Sequence, residues 1–189
     1  MNLKKQIILK FIILLLVSSI ILTVCGRDNM FSIKPSFNFS RLIGNENIDD
    51  ISLSIYYMSP YIFTDIPLSV DDLISDNTTT KTVISGSDLE EHINLFDQIS
   101  NYNLIPVKKK SSYLNVRMYY VLESRKNGKL LDVAMWGGNG EDNSIFVNGV
   151  EVKGNNILYD VIIPFLPEDA AKEWGIYVNK GEVVEDSTP

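Results

Sequence analysis

The side chains able to do nucleophilic, acid–base or metal chemistry are few. The chain has 189 residues, one cysteine (Cys25) and one histidine (His92). A serine triad would have to use His92, yet no Gly-x-Ser-x-Gly turn accompanies it, and its place beside an apolar helical stripe makes it a histidine at the edge of a core. With one imidazole and no second thiol, only carboxylates remain as metal ligands, which excludes zinc and leaves hard cations. The run Asn139-Gly140-Glu141-Asp142-Asn143 offers oxygen atoms without EF-hand spacing and reads as a hairpin loop, so no metal site and no cofactor are expected. Adjacent acids at Asp49-Asp50, Asp71-Asp72, Glu90-Glu91 and Glu168-Asp169 point to opposite faces of a strand or diverge on a helix, so none forms a catalytic dyad. Gly137-Gly138-Asn139-Gly140 has neither dinucleotide-binding spacing nor a Walker lysine.

Cys25 has a different context. Lys4 and Lys5 precede an uncharged run from Phe11 to Val24, and these 14 residues fall short of the roughly 20 that span a bilayer. A basic start followed by a short apolar core is the pattern of an export signal over 1–24. An uncleaved anchor that also uses Ile7, Ile8 and Leu9, with Lys10 snorkelling, is the second reading. The segment Leu22-Thr23-Val24-Cys25-Gly26 resembles a bacterial lipobox, in which the cysteine thiol receives a diacylglyceryl group and becomes the first mature residue. The resemblance implies lipid attachment at Cys25 and an extracytoplasmic, membrane-anchored protein. Val24 stands where such precursors carry Gly, Ala or Ser, so cleavage after Gly26 and a secreted soluble product remain the alternative.

Removing 1–24 leaves 165 residues, the size of one domain. Of 17 basic and 24 acidic residues the leader takes Lys4, Lys5 and Lys10, which leaves a net charge of −10. Nucleic acid and anionic lipid surfaces would be approached against repulsion. Lys108-Lys109-Lys110 reads as a solvated loop. Lacking any internal disulfide, the domain depends on packing alone.

The elements that must hold any surface read as follows. Residues 25–47 lack a period and form a lipid anchor and tether. Order is expected from Ile51, within a domain over 48–178, followed by a flexible acidic tail over 179–189. Ile51, Leu53, Ile55 and Tyr57 alternate with polar positions as a half-buried strand. Residues 61–67 are apolar but bounded by prolines, either an edge strand or a packed loop. Ser69 caps a short helix, and 80–85 is a strand. Ser87 with Glu90 makes a capping box for the main amphipathic helix, 87–100, which carries Leu89, Ile93, Phe96 and Ile99.

Strands over 113–124 and 130–136 flank Lys126-Asn127-Gly128-Lys129, a type I′ hairpin signal, and Asn148-Gly149 marks a second hairpin within 145–152. Residues 157–163 are either helix or strand, and a last short helix opens at Pro167 and stops at Gly175. The fold class is α+β: a mainly antiparallel sheet of about five strands with one main helix on one face.

The segments Ser85-Gly-Ser-Asp-Leu-Glu-Glu-His-Ile, Lys126-Asn-Gly-Lys and Ile145-Phe-Val-Asn-Gly-Val-Glu-Val together resemble small uncharacterised lipoproteins of Gram-positive bacteria, over 80–178. That resemblance implies architecture and location and carries no activity. Among the aromatic residues Tyr113, Tyr119, Tyr120 and Trp136, Tyr119 faces away from Met118 and Tyr120, so it is the candidate partner-binding residue. The expectation is a non-enzymatic module that binds a protein, peptide or cell-wall component. A carboxylate-dependent cell-envelope hydrolase and an immunity or inhibitor lipoprotein are the alternatives.

Overall fold

The computed structural model describes residues 38–44, 46–107, 115–136 and 145–179. The export signal, Cys25, most of the tether, Lys108-Lys109-Lys110, Tyr113, the loop 137–143 and the tail from 180 onward lie outside them. No helix among the described residues is long and apolar enough to cross a membrane.

Strands β1 (Ile51–Tyr57), β2 (Thr80–Ser85), β3 (Val116–Ser124), β4 (Gly128–Trp136), β5 (Ile145–Val147) and β6 (Val150–Val152) form one sheet in the order β2-β1-β3-β4-β5-β6. All five pairings are antiparallel. The alternation in the sequence sets the register: Leu53 pairs with Leu122, Ile55 with Tyr120, and Tyr120 with Val133. These side chains all stand on one face, and together with Leu131, Met135, Ile145 and Val147 they build the main core.

Both Asn-Gly signals mark turns, but of different kinds. At Asn148 (φ 49°) and Gly149 (φ 74°) both central residues are left-handed, as a two-residue type I′ turn requires. The β3–β4 connection is not type I′, because only Gly128 (φ 72°) is left-handed there. Ser124 pairs with Gly128 across three loop residues, and a register shift follows between Leu122 and Glu123. The Ser124 hydroxyl accepts from the Lys126 and Asn127 amides and so selects the longer loop with its bulge.

The helical layer differs from expectation in three places and settles one open alternative. The run 87–100 is not one helix but α3 (Ser87–Glu90) followed by a 3-10 turn over Ile93–Gln98. The cap position is Gly86 (φ 60°), one residue early, and the Ser87 hydroxyl is directed at Asp88, so the capping box does not form. Leu89, Phe96 and Ile99 are nevertheless buried, as the stripe implied. Residues 157–163 are helical, not extended: α4 (Ile157–Asp160) leads into a 3-10 turn over Ile163–Phe165.

The longest helix is α5 (Glu168–Asn179), which continues through Gly175. A glycine there costs about 1 kcal/mol relative to alanine. Burial of Ala170, Trp174 and Val178, four residues apart on one face, outweighs that cost.

Finally, order begins before Ile51. Helix α1 (Phe39–Ile43) is capped by Asn38, whose side chain accepts from the Arg41 amide. Phe39 is buried and stacks on Phe96 at 5.0 Å, and the Ser40 hydroxyl donates to Asp97. The described residues 38–44 and 46–47 therefore belong to the domain and not to the spacer. Phe39→Ala is expected to lower the unfolding free energy in urea by about 3 to 5 kcal/mol, the usual cost of deleting a core phenyl. A spacer residue would cost nothing measurable.

Candidate functional site

Tyr119 is where the sequence pointed. It lies on the sheet face opposite the main core, but that face is partly covered by α2 (Val70–Ser75). Ser69 caps α2 as the sequence suggested, and the structure adds the reciprocal bond to the Asp72 side chain that completes a capping box. Met58, Leu73, Val116 and Ala134 form a second, smaller core there, with Tyr56, Phe146 and Tyr119 half-buried around it. The Tyr119 ring is 6.1 Å from that of Tyr56, and Lys81 Nζ stands 5.0 Å over the latter. Tyr119 is thus packed at the margin of a core, not a free stacking platform.

Burial raises the Tyr119 pKa to about 12, and the charges of Asp132 and Glu123 add to the effect. A tyrosine in the unfolded chain loses its proton near pH 10. Between about 10 and about 12 the unfolded chain has therefore released a proton that the folded chain keeps, so stability falls as pH rises through that window. Tyr119→Phe is expected to flatten this part of the alkaline decline, measured by melting temperature against pH alongside tyrosinate absorbance. An unchanged profile would contradict the packed position.

Two other surfaces merit comparison. At the end of the sheet where β1 begins, a polar cleft of about 420 Å³ is lined by Asp49, Asp50, Ser52, Ser85, Glu123, Ser124 and Arg125. Asp50 is paired with Arg125 at 3.1 Å. Nearby, hydrogen bonds from Ser124 and Asn127 hold the Glu46 carboxyl below its ordinary pKa. Asp72 and Asp76 are also lowered, by hydrogen bonds from Ser69 and from Thr78. These shifts suit acceptors that stay charged and run opposite to what a general acid needs. Among the described residues no group of three or more His, Cys, Asp or Glu is placed to hold a metal ion. His92 lies at the core's edge, its ring set edge-on to Phe165 at 5.7 Å.

The second surface is the connection between β1 and α2. Pro60 and Pro67, neither of which has an N–H to give to a sheet ladder, bracket the segment 61–67, and it is a loop. Its outward side is apolar: Phe63 is 97% and Ile66 73% exposed, with Tyr61 and Ile62 exposed beside them. Such a loop would be expected to collapse unless held, and the holding group is Arg117, only 4% exposed. Its Nε donates to the Ile62 carbonyl (3.3 Å) and Nη2 to Thr64 Oγ1 (2.8 Å). Nη1 donates to Asn115 Oδ1 (2.6 Å) and to the Val116 carbonyl (3.1 Å).

The far end of the loop is tied as well. The Leu68 amide donates to Asn115 Oδ1, and Val116 exchanges back through the Leu68 carbonyl. Arg117 makes no ion pair among the described residues. Its guanidinium pKa is lowered by burial, with nearby Tyr177 acting in the opposite direction.

Unbroken alternation over 113–124 would set Arg117 on the face of Tyr119, away from the main core. A register shift between Val116 and Met118 turns it inward instead. The one available signal was the lone cation in an otherwise uncharged run from Leu114 to Leu122. Comparison with protein-family models, with curated proteins and with solved structures returns no match to this chain.

Proposed function

We propose that the chain is exported, held at the outer face of a membrane through an acylated Cys25, and presents a non-enzymatic binding domain whose contact surface is the loop 61–66. The observation that carries the reading is an apolar loop displayed at high exposure yet pinned to β3 by a buried arginine. Apolar groups turned to water at the cost of a desolvated guanidinium favour a surface kept for contact over one formed by packing. Because the loop is already held, little ordering entropy is lost when it is covered. The downward shifts of Glu46, Asp72 and Asp76 favour a binding role over carboxylate-driven hydrolysis. On this reading Tyr119 supports the sheet margin and is not itself the contact.

The test is retention on cell envelopes. Phe63→Ser with Ile66→Ser in the full chain is expected to weaken partner capture at least tenfold, since each exposed anchor of this type contributes on the order of 1 to 2 kcal/mol. Folding stability should be unchanged. A variant that captures its partners as the parent does would remove the loop from the proposal.

A further inference from the structure

Beside the loop's knob lies a shallow recess that the described residues leave unfilled. Tyr61 forms one wall of an open recess of about 320 Å³, and Asp169, Lys172, Glu173 and Ile176 of α5 form the rest. These four recur at i, i+3, i+4 and i+7 and so make one stripe of the helix. The Tyr61 ring is set edge-on to Tyr177 at 5.3 Å, and the Ser59 hydroxyl donates to Glu173 Oε1 at 2.5 Å, so both walls are fixed. Phe63, two residues from Tyr61, is almost wholly in solvent and therefore does not occupy this recess.

We propose that this face joins two copies of the chain about a two-fold axis, with Phe63 of each seated in the Tyr61 and Ile176 recess of the other. The inference rests on the reading of the loop as a contact surface and supplies its occupant. A two-fold interface needs knob and hole within one patch, because each contact is made twice, and here they lie side by side. The charges agree. Lys172 makes no ion pair among the described residues. Laying α5 antiparallel against its copy about an axis between Lys172 and Glu173 sets each lysine against the other chain's glutamate.

The acidic chain as a whole opposes the pairing, so association strengthens with salt as the net repulsion is screened and the apolar contact persists. Tethering both copies to one membrane raises their effective concentration.

The experiment places a photoreactive benzoyl-phenylalanine at position 63 of the full chain in producing cells, with position 102 as control, since Tyr102 is also exposed. Irradiation is expected to give a product at twice the chain's mass from position 63 and none from position 102. Lys172→Glu should reduce that product roughly fivefold by setting like charges together, and adding Glu173→Lys in the same chain should restore about half of it, the rest being lost with the Ser59 hydrogen bond. A product of one chain joined to lipid or to a different polypeptide overturns the second copy while leaving the loop as a contact surface. Absence of any product from position 63 overturns both. A dimer product indifferent to the charge changes overturns the α5 pairing.

Discussion

Trp174→Ala is expected to lower the unfolding free energy by about 3 to 5 kcal/mol and the melting temperature by on the order of 10 °C. Trp174 is fully buried, stacks on Tyr159 at 5.9 Å and meets Tyr177 edge-on at 6.0 Å. It lies at the centre of the α5 face that closes the main core. The indole Nε1 has no hydrogen-bond partner among the described residues. Trp174→Phe therefore removes an unsatisfied buried donor together with part of the ring, and the two effects offset. Its expected cost is below about 1.5 kcal/mol. Equal losses for Ala and Phe in urea unfolding would contradict this packing.

The second large effect belongs to Arg117. Arg117→Ala removes four hydrogen bonds at once, taking the guanidinium donor from the Ile62 and Val116 carbonyls and the Thr64 hydroxyl and leaving Asn115 Oδ1 with the Leu68 amide alone, for an expected loss of about 3 kcal/mol. Arg117→Lys should recover little of it, because an ammonium group cannot present the guanidinium's planar fork to four acceptors on two segments. The local signature distinguishes this loss from an ordinary core defect. Without its clamp the loop 61–67 opens before the sheet does, so proteolytic cleavage there should accelerate by roughly two orders of magnitude. Stability within 0.5 kcal/mol of the parent, with an unchanged cleavage rate, would show that the arginine does not hold the loop.

The strands were legible because their signal is local. Ile51, Leu53, Ile55 and Tyr57 are apolar at every second position, and the sheet buries them at every second position. The Ser69 cap and the Asn148-Gly149 turn depend on two to four consecutive residues, and both form as their chemistry dictates.

What could not be read depends on distant partners. Phe39 looks like a spacer residue until Phe96, far along the chain, supplies the ring it stacks on. Gly175 looks like a stop until Trp174 and Val178 are seen to be buried on either side of it. Ser87 satisfies the capping pattern, yet the positive φ of Gly86 takes the cap position.

For the candidate site the legible part was the odd composition of 61–67, apolar between prolines. Its clamp was hidden because a one-residue bulge reverses the face of Arg117, and alternation carries no mark of a bulge. Tyr119 was rightly placed on the face away from Met118 and Tyr120. The half-cover given to that face by α2, from a different part of the chain, was not visible in the strand itself.

The proposed function joins the leader to the exposed loop, in a domain that would be sent out of the cell, kept at the membrane and offer a fixed apolar contact. The most direct test is the intact mass of the mature chain recovered from producing cells. The expected result is a polypeptide that begins at Cys25 and carries a diacylglyceryl group, found in the membrane fraction and released from it by Cys25→Ala. A chain of full length that still begins at Met1, free in the cell interior, would contradict the account.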